Sequence, residues 1–218
     1  MRAGLPVFTA LLLLAGCEPP HTAEPYKTVA ITPFLGAPVL GDPKSPVEIV
    51  EYASTTCGHC YAFHHQVFPQ LKTKYFDTGK AHLEWRVMPT PPEAISQAGA
   101  AIARCAGEAK FFETIGDLFD NQDAILKAAA DPWKLQQQLR AVGARHGLSA
   151  DQVGTCIDDK PIAAVTRKIA EGAPDYVTGT PTIVVNGEKI PEHSLEAVSA
   201  AIDAALTKTP NAGSLQPN

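Results

Sequence analysis

The sequence predicts an α/β fold, a mixed central sheet flanked by helices and interrupted by an all-helical insertion. Three observations carry this prediction. A strand–helix–strand pattern runs from Val47 to Met88, and residues 93 to about 171 show helical periodicity without a convincing strand. From Thr182 a strand, a hairpin signal and a final helix follow. The two strand-rich ends can then share one sheet, and both connections are compatible with right-handed crossovers. At 218 residues the chain suits one domain carrying a sizeable insertion.

Arg2 followed by the apolar run Leu5 to Leu14, too short to span a bilayer, reads as an export signal over residues 1–16. It closes on Leu14-Ala15-Gly16-Cys17, which resembles the bacterial lipobox. Cys17 is therefore expected to be the acylated first residue of the mature chain. Residues 17–46, rich in Pro, Thr and Ala, read as a tether, with a possible edge strand at 28–34. Val47 to Ala53 is apolar and partly β-branched, as a strand should be, and Ser54-Thr55-Thr56 suits a strand-to-helix turn. Phe63, Val67, Leu71 and Tyr75 recur on one face of a helix from Gly58, which Pro69 should kink. His82 to Met88 alternates as a second strand.

In the insertion the clearest helices are Ala94–Ala106, Lys110–Asp120, Trp133–His146 and Asp151–Ile157. Asp131-Pro132 and Ser149 read as helix starts and Gly147 as a stop. Thr182 to Val185 is a strand, Asn186-Gly187 a tight hairpin and Glu188 to Ile190 its partner. Ser194 caps a last helix whose apolar face runs through Leu195, Val198, Ile202 and Leu206. In outline, residues 47–92 and 172–207 form the sheet domain, 93–171 the insertion, and 208–218 a disordered tail.

The composition, 45% hydrophobic and 19% charged, is that of an ordinary globular core. The net charge of −5 argues against a nucleic-acid partner and against a polybasic membrane patch. Export permits disulfides. Beyond Cys17 there are four cysteines, Cys57, Cys60, Cys105 and Cys156, which allow three pairings. The spacing of Cys57 and Cys60 favours the pairing that joins those two.

Cys57-Gly58-His59-Cys60 carries the chemistry. At a helix start, unsatisfied N–H groups and the helix dipole favour negative charge on the first sulfur, and the thiolate is the nucleophile. Cys60, one turn inward, would resolve the mixed disulfide. Holding Cys57 as thiolate favours the reduced form, so the disulfide becomes a stronger oxidant; the polar ring of His59 is expected to add to this. Other readings are weaker. Half a zinc site lacks its second ligand pair, and His64 and His65 on the same helix converge poorly with the two cysteines. Haem attachment needs histidine directly after the second cysteine, where Tyr61 stands. A purely structural disulfide would close an unusually small loop. No metal is expected.

With Cys-x-His-Cys at a helix start, the helical insertion and Thr180-Pro181 before a strand, residues 45–207 resemble the DsbA-like thiol oxidoreductases of the thioredoxin superfamily. The resemblance implies a thioredoxin fold and a redox-active disulfide with no added cofactor. It implies a cis-Pro181 packed against that disulfide, leaving the Thr180 backbone to pair with an extended substrate. Glu51, six residues before Cys57, stands where thioredoxin-like proteins keep a buried acid, and would exchange a proton with Cys60. Some alphaproteobacterial relatives carry a second bridge, which implies Cys105–Cys156, closing a loop of about fifty residues for roughly 4 kcal/mol.

The implied protein is a monomeric periplasmic lipoprotein. It would oxidise unfolded or extended exported polypeptides and be recycled by a membrane redox partner. Gly58 replaces an expected proline and Thr180 an expected valine, which keeps a disulfide isomerase or reductase in contention. A non-redox, chaperone-like lipoprotein is the remaining alternative.

Overall fold

The computed structural model describes Met1 and residues 31–208. The export signal, Cys17 and residues 209–218 lie outside the described residues.

Among the described residues five strands form one sheet: β1 (Val39–Leu40), β2 (Val47–Ala53), β3 (Ala81–Val87), β4 (Thr182–Val185) and β5 (Glu188–Lys189), in the order β1-β3-β2-β4-β5. β2 lies in the middle. It runs parallel to β3, with Val47 opposite Ala81 and Ala53 opposite Val87, and antiparallel to β4, with Tyr52 opposite Thr182. Both of its faces are covered, which explains its nearly continuous apolar run; only Glu48 is exposed. Side chains alternate across a strand. Val47, Ile49, Glu51 and Ala53 therefore share one face, and Val50 and Tyr52 the other.

The parallel pair needs a crossover. Three consecutive pieces supply it: α1 (Gly58–Gln66), α2 (Phe68–Leu71) and a widened turn, Lys72–Phe76. The expected break falls at Val67, because Pro69 has no N–H to continue the ladder and sits in the first turn of α2. Beyond it the chain unwinds into wider turns closed by bonds five residues apart, Asp77 N to Lys72 O and Lys80 N to Tyr75 O, both 2.9 Å.

The edge strand expected within 28–34 requires correction. Residues 31–34 form no strand, and residues 28–30 lie outside the described part. Val39–Leu40 takes the edge instead, antiparallel to β3. The segment before it is tied down by Arg104, whose Nη1 donates to Phe34 O at 2.9 Å and Gly36 O at 3.0 Å. Three prolines at 33, 38 and 43 leave few N–H groups for a longer ladder.

Between β3 and β4 stand only helices: α3 (Glu93–Ala106), α4 (Phe111–Asp120), α5 (Gln122–Ala128), α6 (Pro132–Arg145), α7 (Ala150–Ile157) and α8 (Lys160–Glu171). Asp131 and Ser149 cap α6 and α7 as read from the sequence, and Gly147, at φ 91°, ends the turn after α6. The short α5 and the α8 helix were not anticipated. Asp159 caps α8, with Pro161 in its first turn, the same signature that marks α6. Asn186 and Gly187, both at positive φ, turn β4 into β5, and α9 (Leu195–Lys208) is the last described element, with Ser194 Oγ accepting from Ala197 N.

α3 is buried almost all round. Its Ala and Gly residues let neighbours approach closely, and Ala98 to Cys105 contact both the insertion and the sheet. Ala53, Trp85 and Val87 of the sheet join the same apolar cluster as Phe111, Leu118, Leu139 and Val153 of the insertion. Sheet and insertion thus share one core. A second cluster, between the sheet, α1 and α9, contains Val47, Ile49, Phe63, Tyr75, Ile183 and Val198.

Candidate active site

The C-terminal end of β2 delivers Ser54-Thr55-Thr56 into a buried turn. Polar groups buried there must find partners, and the four neighbouring hydroxyls do so. Ser54 Oγ bonds Thr56 Oγ1 (2.9 Å), Ser96 Oγ (2.7 Å) and Thr90 Oγ1 (2.8 Å), and Thr56 Oγ1 donates to Thr90 O at 2.9 Å. Gly99 of α3 lies directly against this turn. A Cβ built there would stand 2.7 Å from Thr55 Oγ1.

Cys57 follows as the N-cap of α1, with extended backbone (φ −85°, ψ 122°) and its own carbonyl accepting from Tyr61 N at 3.0 Å. Its Sγ lies 3.2 Å from Thr180 O. The thiol pKa is lowered to about 5, first through a hydrogen bond from Cys60, with the Thr180 hydroxyl and the N–H groups of Cys60 and His59 adding to it against a burial penalty. Thr180 Oγ1 is itself buried and meets no partner at full hydrogen-bond geometry among the described residues. His59 thus contributes through its N–H; its ring is exposed and tilts toward His193 at 6.3 Å between centroids.

Cys60 is fully buried. Burial drives its pKa far up, and the hydrogen bond to Cys57 and the charge of Glu51 push the same way. Glu51 is 4% exposed, in register with Trp85 and Ile183 on the face of β2 beneath α1, and burial alone raises its pKa to about 8. Its carboxyl therefore holds a proton at neutral pH and gives it up just above. The arrangement divides two chemically identical thiols into an accessible anion and a buried, protonated partner, with an acid of near-neutral pKa beside them.

Thr180-Pro181 is cis, as is Pro91-Pro92 between β3 and α3. A shallow groove lined by Phe63, Val67, Pro191 and His193 runs beside α1. Cys105 of α3 and Cys156 of α7 are disulfide-bonded, with Cα atoms 6.2 Å apart. His64 does not turn toward the cysteines. It lies between the rings of Phe68 and Phe119, with centroids 5.0 and 4.9 Å away, and burial lowers its pKa to about 4. His65 instead pairs with Asp120 at 3.4 Å. Among the described residues no group of three or more His, Cys, Asp or Glu could hold a metal ion.

Gln122 was not anticipated. It opens α5, is 7% exposed, and its Nε2 donates to Thr55 O at 2.9 Å and Cys57 O at 3.0 Å. Nothing in the linear sequence marks a glutamine in the insertion as a neighbour of the Cys-x-x-Cys turn.

Comparison with known proteins agrees with this geometry. A family model described as thioredoxin matches residues 35–204. A Rickettsia conorii protein named as a protein-disulfide oxidoreductase is 33% identical over 176 residues, 77% of this chain and 60% of its own length. The chain thus spans about three fifths of that relative. The crystal structure of Wolbachia pipientis alpha-DsbA1 superposes with a TM-score of 0.69 at 28% identity, covering 81% of this chain and 94% of that one. BdbD of Bacillus subtilis, at 20% identity and TM-score 0.69, covers 82% and 98% respectively and shares the fold. With its Cys57–Cys60 pair at the start of α1 and its inserted helices, the chain belongs to the thioredoxin superfamily, among the DsbA-like thiol–disulfide oxidoreductases.

Proposed function

We propose that this protein is a thiol oxidase that transfers the Cys57–Cys60 disulfide to extended, thiol-bearing polypeptides. The observation that carries the reading is the division between the two thiols, Cys57 accessible and ionised with a pKa of about 5, Cys60 buried and held protonated. A substrate thiolate attacks Cys57 Sγ, the Cys57–Cys60 bond breaks, and Cys60 leaves with the electron pair. Glu51, protonated below about pH 8, supplies the proton that Cys60 takes up. A second substrate thiolate then attacks the substrate sulfur of the mixed disulfide and expels Cys57 as a stabilised thiolate. The substrate loses two electrons and the protein becomes a dithiol. The Thr180 backbone, with its carbonyl 3.2 Å from Cys57 Sγ, is placed to align an extended chain across the sulfur.

The remainder of the reading comes from the sequence. Residues 1–16 direct export, Cys17 is the lipidated anchor, and the protein works as a monomer on exported polypeptides in the periplasm. A membrane partner returns the dithiol to the disulfide. No helix among the described residues is long and apolar enough to cross a membrane. Gly58 and Thr180 favour a second reading, a disulfide isomerase using the same two sulfurs.

The deciding measurement is the equilibrium between this pair and glutathione. An oxidase should sit well above the roughly −270 mV of thioredoxin, and a value at that level refutes the proposal. Mass spectrometry of membrane-extracted protein tests the anchor; a mature N-terminus other than acylated Cys17 removes it.

A further inference from the structure

Gln122 has the geometry of a residue that acts on the exchange site through another. Two backbone carbonyls face its amide, so only the NH₂ end satisfies both, each N–H donating to one acceptor. One acceptor, Cys57 O, already receives the first intrahelical bond from Tyr61 N at 3.0 Å. The amide takes its second lone pair. That carbonyl belongs to the residue that carries the reactive sulfur, so a donor on it helps hold that residue's backbone in place.

The amide also fixes rotation of the peptide. The carbonyls of Thr55 and Cys57 are two residues apart and bracket the bend between β2 and α1. Holding both determines where Cys57 Sγ sits relative to the N–H groups of His59 and Cys60 that stabilise it. The support behind Gln122 is firm. Ile125 and Ala128 of α5 are buried, and the preceding Asn121 is bonded through Nδ2 to Asp117 O at 2.7 Å and Oδ1 at 2.9 Å. Asp117 is held in turn by Arg145 Nε at 2.7 Å and His146 Nε2 at 3.1 Å. A methionine would fill this buried position without the cost of taking an amide out of water. A glutamine there indicates that its two hydrogen bonds are what the position requires.

We propose that Gln122 is a positioning residue of the exchange site: its clamp on the Thr55 and Cys57 carbonyls holds the Cys57 thiolate against its N–H donors and sets how strongly oxidising the Cys57–Cys60 pair is. The insertion then sets part of the redox poise. The inference rests on Cys57 being the sulfur that exchanges with substrate and leaves as a thiolate, which the Cys57→Ser variant decides separately through loss of exchange.

The test is Gln122→Met in the full chain, with two readouts: Cys57 ionisation followed by thiolate absorbance, and the equilibrium constant with glutathione. Both should move toward a weaker thiolate and a less oxidising pair. The expected shift in the constant is about three- to tenfold, where tenfold corresponds to about 30 mV. Thr114→Val is the control. It removes a bond to Lys110 O from a fully buried residue of α4 that does not reach the turn, and should leave both readouts at the parent values. Gln122→Asn retains the amide but is one methylene too short to span both carbonyls, and should fall between. Unchanged readouts in a folded Gln122→Met overturn the inference, as does an equal shift in Thr114→Val. Should Gln122→Met not fold, unchanged readouts in Gln122→Asn overturn it. With exchange lost in Cys57→Ser, any of these results refutes the role of Gln122 alone.

Discussion

Glu51 is the costliest residue in the site, and replacing it should make the protein more stable. In the unfolded chain its carboxyl ionises near 4.5, whereas in the folded protein burial holds the proton until about pH 8. Between those values the native state binds more protons than the unfolded state, so stability falls as pH rises, by about 1.4 kcal/mol per unit. From 4.5 to pH 7 the full cost would be about 3.4 kcal/mol, and dielectric relaxation around a buried group reduces it to about 2 kcal/mol. Glu51→Gln has no charge to bury. Its stability relative to the parent should therefore rise by about 1–2.5 kcal/mol between pH 5 and pH 7. Cys57 works in the opposite sense. Its folded pKa is depressed, so the reduced protein gains stability as pH rises above about 5. A Cys57→Ser background removes that contribution from both proteins and removes the need for reductant. Urea denaturation at the two pH values then reads Glu51 alone. A difference that stays flat with pH, or shrinks as pH rises, refutes the argument that Glu51 is buried without compensation. In the intact protein the same substitution should slow exchange by about 100-fold, because Cys60 loses its proton donor and acceptor.

Three further outcomes follow from the packing. Replacing Cys105 and Cys156 together by alanine should lower stability by about 4 kcal/mol in denaturant titrations, while Cys57 still ionises at its parent pH, because that disulfide joins α3 to α7 away from the reacting sulfur. Gly99→Ala puts a methyl 2.7 Å from Thr55 Oγ1 and should cost about 1–3 kcal/mol while shifting the Cys57 titration; Gly154→Ala, with open space around it, should stabilise α7 by about 0.5–1 kcal/mol and leave that titration in place. Arg104→Met strips the donors from Phe34 O and Gly36 O, and should cost about 2–4 kcal/mol and open residues 31–38 to limited proteolysis.

How far these features could be read in advance depended on whether their cause was local. Strand β2 and helix α1 announce themselves through apolar runs and spacing, and Asp131-Pro132 and Ser149 through caps that act within four residues. The Lys160-Pro161 start of α8 had the same local signature and could have been read by the same rule. The edge strand was different. Thr28 to Phe34 and Val39–Leu40 are both short and broken by prolines, and the choice between them is made by Arg104, seventy residues away, which takes the carbonyls of Phe34 and Gly36. Within the site, Cys57, Cys60 and Pro181 were legible because each sits in a recognisable string. His59 was legible in position but not in manner, since a side chain's direction depends on what packs beside it, here His193.

Three residues whose contacts no string revealed share one origin. Ser96 and Gly99 of α3 and Gln122 of α5 all come from the insertion, and they meet one turn: Ser96 on Ser54, Gly99 on Thr55, Gln122 on Thr55 and Cys57. An insertion that served only as a lid would touch the substrate face and leave this turn alone. Instead it shares its apolar core with the sheet through Ala53, Trp85 and Val87, so it cannot move without disturbing the strand that carries Glu51 and leads to Cys57. Two proteins with the same four residues between and including their cysteines can therefore differ in potential through residues of the insertion. The dipeptide between the cysteines sets which donors are available; the insertion sets how closely the thiolate is held to them.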